Sequence, residues 1–174
     1  MDPGGGACGD WAVTGAGLLV AHGRRLRCAL GRGGIRADKR EGDGATPAGI
    51  FGLRRVLWRP DRGPPPVTPL PTAAVAPEDG WCDDPGHPDY NRPVLLPHPA
   101  GHERMWRDDA LYDLVVVVGH NDAPVVPGAG SAIFVHVARE GYAPTEGCVA
   151  LAAADLRWLL ARTPIGARLC VSPS

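Results

Sequence analysis

Apolar residues along this chain recur in short runs with a two-residue rhythm, and only once at helical spacing. Leu18 to Ala21 and Arg24 to Leu30 predict two strands joined by a tight turn at His22-Gly23. In the second, Leu26, Cys28 and Leu30 alternate with Arg25, Arg27 and Ala29, giving one apolar face and one mostly basic face. Ile50 to Trp58 predicts a further strand. Val115 to His120 and Ser131 to Val137 are continuous runs rich in β-branched residues and bounded by Gly and Pro, the pattern of strands buried on both faces, so they predict the centre of the sheet. Ala152 to Thr163 alone carries a helical stripe, with Leu156, Leu159 and Leu160 on one face, Arg162 near the end and Pro164 as a stop. Ala167 to Val171 predicts the closing strand.

The breakers agree with short elements. With 24 Gly and 19 Pro in 174 residues, long helices are excluded and a mainly β fold with one packed helix is favoured. Pro60 to Pro71 is so rich in proline that it must be irregular. Gly80 to Arg107 has no clean periodicity and reads as a polar excursion held by Trp81 and Trp106. There are no internal repeats or charge blocks, which predicts a flexible stretch over residues 1–10 and a single domain over 11–174.

Charge narrows the partners. A formal net charge of -1, from 18 basic and 19 acidic residues, provides no footprint for nucleic acid or an anionic membrane surface. No apolar run approaches the roughly 20 residues that span a bilayer, and Met1 to Asp10 lacks a basic region followed by an apolar segment, so no export signal is expected in this chain. A monomer is expected. Five cysteines, an odd count, fit one reactive thiol better than a disulfide framework. Cys28 and Cys170 read as small core residues on strands, and Cys8 as part of a disordered Gly-rich end.

The candidate chemistry lies in Ile133-Phe-Val-His136 followed by Thr145-Glu-Gly-Cys148. An apolar strand delivers His136 at its end, and Cys148 follows a glycine at a turn. A thiol near its ordinary pKa is only a few per cent thiolate at neutral pH, so an imidazole that takes the proton activates it directly. Gly147 lets the backbone turn sharply, so that the amides of Gly147 and Cys148 can point at a developing oxyanion. Orientation of the imidazole calls for a third group, for which the Val137 carbonyl and Asn121 are both candidates.

These residues resemble the YkuD-like L,D-transpeptidases of bacterial cell-wall metabolism, whose motif is a strand-end histidine, a variable loop and Ser/Thr-His-Gly-Cys. His136 and Cys148 match the base and nucleophile. Thr46-Pro47-Ala-Gly49-Ile-Phe51 resembles the family's Thr-Pro-x-Gly-x-Phe element, and Gly119-His-Asn-Asp122 with Gly130-Ser-Ala-Ile133 suits one branch, so the similarity spans roughly Gly31 to Val171. The resemblance implies a β-sandwich with one packed C-terminal helix. It also implies peptidoglycan stem peptides as partners and a thioester acyl-enzyme that exchanges a terminal D-Ala for an amine acceptor, giving a 3-3 cross-link. The periplasm or cell wall is the implied location, in tension with the absent export signal. An L,D-carboxypeptidase or other cysteine hydrolase on the same dyad, and a non-catalytic peptidoglycan-binding domain, are the alternatives. Glu146 replaces the usual second histidine, and Val149-Ala150 replaces polar residues that many relatives carry. His120 is a candidate auxiliary imidazole. Thr145, Asn121, Tyr90 and Arg104 are candidate substrate contacts, with Asn91 and Arg107 beside them.

No cofactor or metal is expected for this chemistry. Cys82, His87, His98 and His102 offer zinc-ligand types at finger-like spacing, but no close cysteine pair initiates the set and Pro85, Pro88, Pro93, Pro97 and Pro99 stiffen it. The Asp83-Asp84 and Asp108-Asp109 pairs read as solvated loop charge. Asp38 to Asp43 lacks a nucleotide-binding pattern and reads as a solvated hairpin tip.

Overall fold

The computed structural model describes residues 10–174. Its strands in chain order are β1 (Trp11–Thr14), β2 (Leu18–Ala21), β3 (Arg24–Arg27), β4 (Ile35–Arg36), β5 (Thr46–Pro47), β6 (Gly49–Trp58), β7 (Thr72–Ala74), β8 (Asp79–Cys82), β9 (Pro93–Leu95), β10 (His102–Arg104), β11 (Leu114–Val118), β12 (Phe134–Val137), β13 (Val149–Leu151) and β14 (Arg168–Ser172). Among the described residues a single α-helix, α1, covers Ala153–Leu160. The architecture is mainly β with one helix, as the pattern predicts.

The main sheet runs β13-β12-β11-β6-β14-β1-β2-β3, with β7 alongside β6. It curls until its edges meet. Ala29, just past β3, exchanges two backbone hydrogen bonds with Ala150 of β13, at 2.8 and 2.9 Å. Thr145 N–H donates to Leu30 O at 2.9 Å and Arg32 N–H to Thr145 O at 2.8 Å, which extends the seam toward the candidate nucleophile. Pairing the two edges satisfies backbone groups that would otherwise be open to another chain.

Period-two alternation then divides the interior. Val116 and Val118 of β11, and Val135 and Val137 of β12, enter the main core with Trp11, Leu19, Leu169 and the helix residues Leu156, Leu159 and Leu160. Val115, Val117, Phe134 and Cys148 face the other way, into a second cluster with Trp81, Met105 and Tyr112. The central strands are thus buried on both faces, which accounts for their unbroken apolar sequence. Trp11 Nε1 donates to Thr163 Oγ1 at 3.1 Å, tying β1 to the segment after α1.

Several stretches differ from the sequence reading: β1, β4, β5 and β7 have no counterpart in it, and the strand expected from Ser131 begins at Phe134. Gly80 to Arg107 contains a three-stranded sheet, β10-β8-β9, which covers the second cluster. Its strands have three or four residues, too short to show a period. Between Cys148 and the helix, β13 intervenes and pairs parallel with β12. The helix ends at Leu160 rather than Thr163: the Arg162 and Thr163 N–H groups turn to the i−3 carbonyls of Leu159 and Leu160 just ahead of Pro164. Cys28 and Cys170 are buried as expected, but Cys170 is disulfide-bonded rather than a simple core thiol; the reading of Cys8 and most of residues 1–10 lies outside the described residues.

Candidate active site

Strand register brings the two chemical residues to one place. Phe134 and His136 share a face of β12, opposite Val117 and Val115 of β11. On the other side of β12, Val135 pairs with Val149, so Cys148 enters level with Phe134. Phe134 N–H donates to Cys148 Sγ at 3.4 Å, and the thiol donates to Ala132 O at 3.2 Å. The preceding turn is closed by Thr145, whose Oγ1 donates to Cys148 O at 2.6 Å and accepts the Gly147 N–H at 3.1 Å. Gly147 has φ +141°, and a Cβ there would stand 2.8 Å from Ala45 O, so only glycine fits.

Burial sets the protonation states. His136 is 3% exposed, and burial holds its imidazole down at about 4. Its Nδ1 lies 2.8 Å from Val137 O. A carbonyl only accepts, so Nδ1 carries the hydrogen and Nε2 keeps a free lone pair, the arrangement a general base needs. Burial likewise pushes the Cys148 thiol up to about 12, reinforced by the nearby Glu103 charge. The resting pair is neutral thiol and neutral imidazole. In this state the thiol is turned to Ala132 O, so proton transfer requires it to rotate toward the imidazole when substrate binds.

Both residues line a cavity of about 470 Å³ whose wall is charged in both senses. Lys39, Arg107 and Arg139 supply cations, and Glu41, Asp83 and Glu103 supply carboxylates. Tyr112 packs edge-on against His136, with ring centroids 5.4 Å apart, and donates its hydroxyl to Glu103 at 2.5 Å. Burial raises the Glu103 carboxyl pKa against that hydrogen bond, and burial followed by the Glu41 charge raises that of Asp83.

The sequence model of the YkuD L,D-transpeptidase catalytic domain matches residues 14–171, nearly the whole described chain. The chain belongs to this family. A search of curated proteins finds no match. Among solved structures, an L,D-transpeptidase from Mycobacterium smegmatis is similar at 15% identity and a TM-score of 0.43, with 93% of this chain and 57% of that one covered. The L,D-transpeptidase LdtMt1 in complex with imipenem is similar at 16% identity and a TM-score of 0.42, with the same coverage. The chain therefore spans a little over half the length of these two proteins.

In this YkuD domain the sequence-predicted residues divide by position. Cys148, His136 and Thr145 meet at the cavity, and Glu146, which stands at the motif's second histidine, lines its rim. Glu146 faces solvent there in an ion pair with Arg32 at 2.9 Å, so its charge is screened from the thiol by water. The Gly147 amide, expected to aim at an oxyanion, is instead taken by the Thr145 hydroxyl. Val137 O holds the His136 ring, while Asn121 spends its side chain on Val126 and on the Gly130 carbonyl.

His120 lines a different cavity, where its Nε2 sits 2.9 Å from Ala129 O and Phe51 packs edge-on at 5.5 Å. Tyr90 and Asn91 are buried and serve the backbone. Tyr90 donates to Glu41 and accepts the Gly130 N–H at 3.0 Å. Arg104 is exposed on β10 away from the cavity; Arg107 lines it. The Asp38 to Asp43 loop is a solvated tip only at Asp38, Arg40 and Gly42. The Lys39 side chain is 6% exposed, paired with Asp43 at 2.6 Å, and Glu41 also accepts from Ser131 Oγ at 2.7 Å. Asp83 is a wall residue rather than free loop charge. Glu103 and Tyr112 went unpredicted because β10 is too short for a period and Tyr112 precedes its strand.

Thr145→Val removes both turn hydrogen bonds at nearly constant volume. We expect a stability loss of about 1–2 kcal/mol in urea denaturation, with slower acylation of Cys148. Unchanged values for both would mean that the turn does not depend on this hydroxyl.

Proposed function

We propose that this domain is a cysteine-dependent L,D-transpeptidase acting on peptidoglycan stem peptides. The observation that carries the reading is the joint placement of Cys148 and His136 in one cavity, with His136 Nδ1 bonded to Val137 O and Nε2 left as base. When substrate binds, His136 takes the thiol proton as Cys148 attacks the carbonyl joining the penultimate residue of a tetrapeptide stem to its terminal D-Ala. The protonated imidazole passes that proton to the departing D-Ala nitrogen, leaving a thioester. The Cys148 amide is the first oxyanion donor, worth about 3 kcal/mol by analogy with other oxyanion holes; Gly147 joins only by exchanging its bond to Thr145. The amine of a second stem then attacks the thioester, its proton passes to His136, and the thiol is restored, which closes the 3-3 cross-link. The two-signed cavity wall suits donor and acceptor peptides that carry both ammonium and carboxylate groups.

Such a reaction places the protein at the cell wall. Among the described residues, no helix is long and apolar enough to cross a membrane. The test is intact mass and product analysis with a tetrapeptide stem ending in D-Ala plus an amine acceptor, for the wild type and Cys148→Ala. We expect a thioester adduct and cross-linked product from the wild type only. Tripeptide without cross-link would replace this reading by the carboxypeptidase, and neither adduct nor turnover would replace it by a binding domain.

A further inference from the structure

The β8-to-β10 excursion brings together three metal-ligating side chains that the catalytic reading does not use. His87, Asp89 and His98 place one ligand atom each within 4.8 Å of one another. His98 Nε2 lies 3.2 Å and His87 Nδ1 3.6 Å from Asp89 Oδ2. Zinc bonds to nitrogen and oxygen of about 2.0–2.1 Å put neighbouring ligands at a tetrahedral centre roughly 3.3 Å apart, so two of the three separations already match. The rings pack edge-on with centroids 4.9 Å apart, and the His98 side chain is only 10% exposed. We propose that His87, Asp89 and His98 form a binding site for a divalent first-row transition ion such as zinc.

The ligand set differs from the one the sequence spacing suggested. Cys82 is buried on β8 across from His102 on β10, and His102 Nδ1 bonds to Ala100 O at 2.8 Å, so neither joins the cluster. Asp89, two residues after His87, takes their place. Two histidines and a carboxylate on a partly exposed loop leave the fourth position to water. The second shell tempers the affinity. Asp89 N–H donates at 3.1 Å into His87 Nδ1, the lone pair a metal must take over, and Ala100 N–H donates to His98 Nδ1 at 3.3 Å, where a tight site would present an acceptor. Coordination through His98 Nε2 moves that ring's proton to Nδ1 and gives up the Ala100 bond. Affinity 10- to 100-fold below that of a fully supported site is expected.

The site has a route to the thiol. Asp89 adjoins Tyr90 and Asn91, which hold the Gly130 and Ala132 amides, and Ala132 O receives the Cys148 proton. A metal at residues 87, 89 and 98 therefore clamps the loop that braces the nucleophile's resting partner. This is independent of whether Cys148 transfers, hydrolyses or only binds.

The test uses the full chain free of any affinity tag, titrated with Zn²⁺ by calorimetry and with Co²⁺ by visible absorption. We expect one equivalent bound with a tetrahedral Co²⁺ spectrum, more than about tenfold weaker binding in His98→Gln and Asp89→Asn, and unchanged binding in His102→Gln. On the wild type, Zn²⁺ is also expected to slow amide exchange across residues 87–98 and at Gly130 and Ala132, a readout that holds even if a variant misfolds. Binding well below one equivalent, equal binding in the folded variants, or no exchange protection in residues 87–98 would overturn the site.

Discussion

His136→Ala is expected to lower the rate of Cys148 acylation about 10²- to 10⁴-fold, the range for loss of a general base, with the fold intact. The magnitude follows from the resting protonation states. A thiol moved from 9.0 to about 12 has about a thousandfold less thiolate at neutral pH. Its greater intrinsic nucleophilicity returns only about twentyfold of that, for a Brønsted slope of 0.4–0.5. Alkylation of Cys148 by iodoacetamide, which needs the free thiolate, is thus expected to be about fiftyfold slower than for an exposed cysteine at pH 7 and to climb about tenfold per pH unit through pH 10. Acylation by substrate uses neutral His136 instead, so it should stay level at neutral pH and fall only as pH drops through about 4, where the imidazole takes up its proton. An alkylation profile with an inflection near pH 6–7 would show a preformed thiolate–imidazolium pair and refute this account.

Asn91→Ala is expected to cost about 3–5 kcal/mol of stability. Asn91 is 7% exposed, and all its hydrogen-bonding capacity serves other groups. Its Oδ1 accepts from Trp81 Nε1 at 3.0 Å and from Ala132 N–H at 3.1 Å, and its Nδ2 donates to the His120 and Asn121 carbonyls at 3.1 and 2.8 Å. Two buried N–H donors and two half-buried carbonyls lose a partner at roughly 1 kcal/mol each. The left-handed backbone at this position, φ +56°, suits Asn and penalises Ala further. Chemical denaturation measures the loss; a change under 1 kcal/mol would mean that water replaces the side chain. Because Ala132 donates its N–H to Asn91 and accepts the thiol's hydrogen bond at its carbonyl, the variant should also loosen Cys148, seen as faster alkylation.

What could be read from the chain depended on the range of the interactions involved. The central strands and the helix are written in local runs and lie at those runs with shorter bounds, and His136 and Cys148 line one cavity. The turn at His22-Gly23 needs two positive φ values, 49° and 74°, and its sequence shows as much. The β8-β9-β10 sheet, the Glu103–Tyr112 wall and the roles of Tyr90 and Asn91 depend on partners tens of residues away, and no short window displays them. Tyr90 and Asn91 drew attention for the right reason, as polar groups beside a site, yet they face inward to the Gly130 and Ala132 backbone. The burial of Lys39 was equally invisible, since its counter-ion Asp43 looks like loop charge until the loop is packed.

The seam where Ala29 meets Ala150 and Leu30 meets Thr145 joins residues about 115 to 120 positions apart in the chain. Contacts of such separation carry a large loop-closure entropy. The nucleophile's turn is stitched into that seam, so a chain that has made its hairpins and helix but not closed the sheet holds Cys148 in no particular orientation. On the cysteine-dependent reading proposed above, activity would thus report that the whole circuit of the sheet is complete, because an open seam leaves the thiol's turn without its partners.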